Sequence, residues 1–388
     1  MNKFSSVFAQ LLQLFPQGEF CKAVYETKSE KHAKGFTSWQ QFVAMLFCQL
    51  GQAHSLREIC GGLATCLGKL KHLGVKSAPN RSTLSYANEH RPWQLFQQIF
   101  YHLLNKCQAL AVGKKKFRFK NKLYSMDATL IELCATLFDW AKYCTTKGAI
   151  KLHLLLDHEG YLPVFAHITD GLKHEIKIAQ DFSFPKGSIV VVDRGYVDYA
   201  LFARWTSLGV YFVTRLKKNA VFKVFKERTV PQHRNILKDQ TIKLVGPEGQ
   251  KKCSHFLRRV EIWDEENNQT VVFLTNHFDF GSTTIARIYK DRWQIEIFFK
   301  TIKQNLKIKT FVGTSPNAIH IQIWTALITI LLLKYLKFSS RFKWSLSNLV
   351  VLLRLNLFTY RNLWDWINNP FETPPIAPGA QQIALQFG

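Results

Sequence analysis

The stretch YKDRWQIEIFFKTIK, Tyr289 to Lys303, contains one glutamate, Glu296, set between basic and aromatic neighbours. Treated as one helix at ~100° per residue, Tyr289, Arg292, Glu296, Lys300, Lys303 and the following Lys307 fall within an arc of roughly 80°. Ile288, Ile295, Phe298, Phe299, Ile302 and Leu306 fall on the opposite side, within roughly 100°. The apolar side predicts a face that packs on a core. The polar side presents an acid among four cations and a tyrosine, whereas a face made for solubility more often mixes several acids with the bases. Such a face suits a phosphate backbone, with one metal-binding oxygen donor in its midst.

Two other acids stand apart. Asp127 lies inside the apolar run LYSMDATLIEL, where a carboxylate is costly without a partner or a metal. Asp193 ends the run IVVVD and is followed by Arg194, Gly195 and Tyr196. The carboxyl ends of strands in α/β sheets are where ligand sites gather. Taken singly, Asp193 reads as well as a helix cap, and Asp127 as a strand-end acid with a basic neighbour. Asp157, Asp170, Asp264, Glu265 and Glu266 sit in turn-like sequence and are expected to be solvated. Three carboxylates among many bases match the needs of phosphodiester chemistry. Two Mg²⁺ ions about 4 Å apart activate the attacking oxygen and stabilise the leaving one, and three carboxylates suffice to hold them. Hard oxygen donors suit Mg²⁺, with Mn²⁺ able to substitute, and not zinc. Arg292 and Lys303 would pair with phosphates near the cut, with Tyr289 and Lys300 on the same face.

The whole chain agrees in charge. Its 388 residues hold 52 Lys+Arg against 27 Asp+Glu, a net charge of +25, which favours a polyanionic partner through counterion release. Eight scattered cysteines with no C-x-x-C pair give neither a zinc framework nor a disulfide ladder, so a reducing interior is expected. The run IQIWTALITILLLKYLK is interrupted by Gln322 and Thr325 and reads as a buried helix, not a membrane span. The first sixteen residues are amphipathic and do not read as a signal peptide, so a cytoplasmic location is expected.

Along the chain, residues 1–112 read as helical. Thr37 or Ser38 starts TSWQQFVAMLFCQLG and Gly51 stops it, while Ser55 and Glu58 form a capping box. Two short helices joined by a loop fit a helix-turn-helix reader and equally a plain bundle; the net charge favours DNA. The alternation of Lys116, Arg118 and Lys120 with Phe117 and Phe119 predicts the start of a strand. Residues 113–216 then give three antiparallel strands followed by alternating helix and strand, an α/β pattern. Residues 217–281 read as a β-rich insertion, residues 282–337 resume the α/β style, and residues 338–388 end in a helical region and a Pro-rich tail. His153, His174, His320, Lys147 and Lys151 are assigned to packing or solvated faces.

At Tyr289, Arg292, Glu296 and Lys303 the chain resembles bacterial insertion-sequence transposases of the Asp-Asp-Glu class, in the insertion sequence four family. The spacing of Tyr, Arg, Glu and Lys is met without a gap, and SMDATLI and VVDRGY resemble the two aspartate motifs. The resemblance implies an RNase H-like catalytic core with a β-rich insertion, preceded by an all-helical DNA-binding domain. It also implies cleavage of double-stranded element ends and transfer of the freed 3′-OH into target DNA, within a homodimer in a synaptic complex. An RNase H-like nuclease without strand transfer, or a catalytically inactive DNA-binding descendant, would use much of the same sequence.

Overall fold

The computed structural model describes residues 5–31, 33–66, 68–134, 138, 140, 142–144, 147–171, 175–232, 234–306, 308 and 310–372, without side chains at 134, 142–144, 147, 175 and 248. Six helices come first: α1 (Val7–Leu12), α2 (Gln17–Thr27), α3 (Ser38–Gly51), α4 (Leu56–Ala64), α5 (Arg81–His90) and α6 (Gln94–Ala111). Then follow β1 (Leu123–Cys134), β2 (Lys142–Cys144), β3 (Lys147–Asp157), β4 (Leu162–Asp170), α7 (Glu175–Gln180), β5 (Ile189–Val192), α8 (Tyr199–Ser207) and β6 (Tyr211–Arg215). Next come β7 (Phe222–Glu227), β8 (Ile236–Leu244), α9 (Pro247–Lys252), β9 (Leu257–Asp264) and β10 (Gln269–Thr275). The chain closes with α10 (Ser282–Asp291), α11 (Gln294–Asn305), α12 (Pro316–Ser339), α13 (Leu346–Leu355) and α14 (Leu363–Asn368).

The strands make one ten-stranded mixed sheet in the order β2-β3-β1-β5-β6-β10-β9-β8-β7, with β4 also paired to β3. β1, β3 and β4 are antiparallel neighbours, and β5 joins β1 in parallel. The stretch from β7 to β10 extends this same sheet, because β10 hydrogen-bonds to β6. All four residues of β5 are fully buried. Val190 and Val192 enter the core under α8, while Ile189 and Val191 enter the core under α10. A sheet covered on both faces makes a strand read as an unbroken apolar run.

α12 is apolar all round and sits at the centre of the helical layer, packed on α3, α5, α6 and α13. Ser315 caps it by accepting from the Ala318 amide, with Pro316 in the first turn. Among the described residues it is the one helix long and apolar enough to cross a membrane, yet 89% of its most apolar window is buried inside the protein. α1 is tied to the far end of the chain by a bridge between Ser6 and Tyr360. The helices of residues 5–111 share a single apolar cluster with α11, α12 and α13. Thr37 and Ser55 cap α3 and α4, Thr37 in a full capping box with Gln40.

Three expectations change. Residues 116–120 form no strand: Phe117 and Phe119 stack on each other, and Phe119 reaches Phe280, so both rings of the alternation serve one side of a loop. Asp157 is buried, not solvated, and pairs with Lys122 at 3.2 Å. The stretch 289–303 is two helices meeting at Arg292 and Trp293, where bonds from Arg292 to Tyr289 and from Ile295 to Arg292 tighten the turn. The tail from residue 373, His174, Lys307 and the Lys147 side chain lie outside the described residues.

Candidate active site

Asp127 lies on β1, and Asp193 directly follows β5 with its backbone still extended. These strands are parallel neighbours with Met126 opposite Val192, so the two acids take the next register on adjacent strands. Adjacent positions of this kind point to the same face of a sheet, with backbones about 4.8 Å apart. Glu296 enters from the first turn of α11, where the helix dipole favours an acid. The buried Ile295, Phe298, Phe299 and Ile302 anchor α11 to the core and leave Glu296 partly exposed.

Arg292, at the joint of α10 and α11, ties the group together. Its Nη2 donates to Glu296 Oε1 at 2.8 Å, and its Nη1 lies 3.6 Å from Asp127 Oδ2. The Tyr289 hydroxyl donates to Asp193 Oδ1 at 3.4 Å, and the Arg292 guanidinium stands 5.5 Å from the Tyr289 ring centre. Burial works to lower the Arg292 pKa, but the charges of Tyr289, Glu296, Asp127 and Asp193 outweigh it and leave it raised. Burial pushes the Tyr289 phenol up to about 12, with Arg292 opposing and Asp193 adding to the rise. Lys303 Nζ donates to Thr129 Oγ1 at 2.6 Å and to the Leu130 carbonyl at 2.9 Å, which clamps α11 to β1 just beyond Asp127. Lys300 is exposed, and among the described residues no ion pair joins it to the three acids.

The donor chemistry fits a divalent hard cation. Glu296 Oε2 is buried with no hydrogen-bond partner. Carboxylate oxygens are the ligands that Mg²⁺ and Mn²⁺ take. Among the described residues no three acidic, His or Cys side chains stand already gathered as a cage. The guanidinium of Arg292 pairs with both Asp127 and Glu296 and supplies positive charge there.

A second, buried layer holds this arrangement. The Asp291 carboxylate accepts from Lys116 Nζ at 2.7 Å, from the Tyr161 hydroxyl at 3.1 Å, and pairs with His158 Nδ1 at 2.8 Å. His158 Nε2 lies 2.7 Å from Ser125 Oγ, and Ser125 shares the Asp127 face of β1 two residues away. Serine, histidine and aspartate are thus linked in a row, but Ser125 is fully buried and meets no substrate. The row instead joins the strand of Asp127 to the joint of Arg292. Burial raises the Asp291 pKa, yet the bonds from His158 and Lys116 prevail and hold it below the usual carboxylate range. Sequence reasoning missed this layer. The available signal was Asp291 itself, which falls among the apolar residues of the wheel, at about 200° from Tyr289. His153 and His320, by contrast, bond within the fold, to Thr169 and to the Pro316 carbonyl.

Comparison with known proteins places the chain in a family. Residues 118–332 match the Transposase DDE domain, and residues 3–76 match a domain of unknown function (DUF4372). A putative transposase y4zB of Sinorhizobium fredii is 29% identical over 328 residues, which cover 83% of this chain and 88% of that one. The probable transposase for insertion sequence element IS5377 of Geobacillus stearothermophilus is 28% identical over 258 residues, 66% of this chain and 67% of its own length. The putative transposase for insertion sequence element IS4SA of Synechocystis is 25% identical over 264 residues, 66% and 71% of the two chains. The family match covers more than half of the 388 residues and contains Asp127, Asp193 and Glu296. The chain belongs to the DDE-domain transposase family and is a DNA transposase.

Proposed function

We propose that Asp127, Asp193 and Glu296 are the catalytic carboxylates of this transposase, and that they hold two Mg²⁺ ions, with Mn²⁺ able to substitute. The observation that carries the proposal is the register of Asp127 beside Asp193 on parallel strands, with Glu296 joined to Asp127 through one guanidinium. Bound there, divalent ions would activate the attacking oxygen and neutralise the leaving one during cutting of element ends and transfer of the 3′-OH. The protein's own groups supply the rest. Arg292 offers a planar fork suited to a phosphate, and Tyr289 fixes Asp193 by its hydroxyl. Lys303 holds α11 against β1, and Lys300 faces solvent where a DNA strand would lie. Three antiparallel strands followed by parallel β5 and β6 support an RNase H-like core, with the stretch from β7 to β10 as the insertion. The partner is double-stranded DNA, the assembly at the ends a homodimer, and the site of action the cytoplasm. The spacing from Tyr289 to Lys303 favours the insertion sequence four group within the family.

The test is cleavage of a cognate end and joining of a pre-cut end to supercoiled DNA, each in Mg²⁺. Asp127→Asn, Asp193→Asn and Glu296→Gln should each remove both activities, by a factor on the order of 10³ or more, while DNA binding is kept. A variant that cuts normally removes that residue from the site. Cutting without joining by the unaltered protein favours the nuclease reading.

A further inference from the structure

The outer end of the sheet carries a second feature that the catalytic site does not use. Lys223 on β7 stands directly across from Lys243 on β8. Like charges directly opposite on a ladder are destabilising, and neither lysine pairs with a carboxylate among the described residues. The bulge of β7 falls between Val224 and Lys226, and so at Phe225, which is half exposed. Phe256, also half exposed, immediately precedes β9 and lies in the next register across from Lys243. The four side chains touch. Lys223 lies over the Phe225 ring at 5.7 Å, Lys243 over the Phe256 ring at 5.0 Å, and the two rings meet edge to face at 5.2 Å. Lysines and a bulge on an edge strand are the ordinary defence against strand-to-strand association. That defence explains Lys223 and not the two solvent-facing phenylalanines.

The cluster shares a face with the acids. Phe256 alternates in step with Val260, which enters the core under α10 together with Leu123, and Leu123 alternates in step with Asp127. Strands β8 and β7 are five and six places from β1 in the sheet. At about 4.8 Å per strand, the lysines lie about 24–29 Å from Asp127 along the sheet, which is about seven to nine base pairs of duplex.

We infer that Lys223, Phe225, Lys243 and Phe256 form a second DNA-binding surface, which takes the backbone of a duplex whose cut point lies at the acids. This rests on the reading of the chain as a transposase acting on duplex DNA. The lysines neutralise two phosphates, and the rings pack on the intervening deoxyriboses. The unpartnered charge of the patch selects a polyanion over a second copy of the same lysine-rich edge.

The experiment is fluorescence anisotropy of the full chain with a labelled 40-base-pair duplex of random sequence across a salt series. Lys223→Ala with Lys243→Ala should lower the slope of log affinity against log salt by about 1.8, two phosphates at about 0.9 each. Phe225→Ser with Phe256→Ser should weaken binding about fivefold and keep the slope. Lys177→Ala with Lys186→Ala, which removes the same charge from exposed positions outside this cluster, should leave the slope unchanged. An unchanged slope in the Lys223/Lys243 variant, or an equal drop in both lysine pairs, overturns the inference and leaves the transposase reading intact. So does a phenylalanine variant that goes from dimer to monomer by sedimentation while binding DNA normally. A wild-type chain that does not bind the duplex overturns both.

Discussion

At the scale of single residues, Arg292 is the positive charge that Asp127 and Glu296 share. Asp127 and Glu296 are both partly buried and both within reach of its two amino groups. Removing it would leave two neighbouring carboxylates with no shared counter-charge, at a cost of roughly 1–3 kcal/mol. A divalent ion would then repay more in the variant than in the parent. Arg292→Gln is therefore expected to lower the melting temperature without metal, and to regain more of it on addition of Mn²⁺ than the wild type gains. Differential scanning fluorimetry with and without Mn²⁺ reads both numbers; equal Mn²⁺ shifts in the two proteins would refute a counter-charge role. Residues of this kind were legible in the sequence, because their spacing on one helical stripe is fixed by the 3.6-residue period. Asp157 was not. Turn-like sequence looks solvated until another segment covers it, and here Lys122 and Glu159 close around it.

At the scale of elements, α12 shows what deep burial does to a charge. Lys334 is almost wholly buried among apolar neighbours, and its Nζ donates to the Gly160 carbonyl at 3.0 Å. Burial pulls its pKa down to about 7, with Lys337 adding to the fall and Cys107 opposing it. A base whose pKa is lowered on folding is less protonated in the folded than in the unfolded chain. Stability then rises with pH from about 7 to the ordinary lysine range, and below about 7 the full cost of the buried charge is carried. Lys334→Met is expected to stabilise the protein near pH 7 by a few kcal/mol, roughly 1.4 kcal/mol per pKa unit less the lost hydrogen bond. It should also flatten the rise between pH 7 and 9. Urea unfolding at the two pH values measures this, and a variant less stable than the parent at pH 7 contradicts it. The same scale holds the one large misreading, the single long helix across Tyr289 to Lys303. Helical periodicity survives a tight turn of one or two residues, so the wheel kept its faces while the helix broke at Arg292. The cause is non-local: Asp291 is drawn into the fold by His158, Lys116 and Tyr161 just before the break.

At the scale of the whole molecule, the helices of residues 5–111 pack into one apolar cluster with α11, α12 and α13. α12 finds its apolar cover in α3, α5 and α6 as much as in α13. Deleting residues 1–112 would strip that cover from a helix that is apolar on every side. The shortened chain is expected to aggregate on expression, and a soluble, folded fragment by gel filtration and circular dichroism would show that α12 needs no such cover. The sequence by itself determined local features: the helical pattern of the first 112 residues, where α3 and α4 are capped, and which acids stand out against their surroundings. Those depend on period, capping chemistry and the cost of a charge in an apolar run, all of which act over a few residues. The tertiary structure alone decided that the stretch from β7 to β10 prolongs the central sheet, that Ser125, His158 and Asp291 form a buried link behind the acids, and that Arg292 pairs with both Asp127 and Glu296. Those side-chain contacts join residues 33 to 165 positions apart in the chain, apart from the i,i+4 pair of Arg292 with Glu296. No local pattern encodes them, because they exist only once strand register has brought distant segments to the same place.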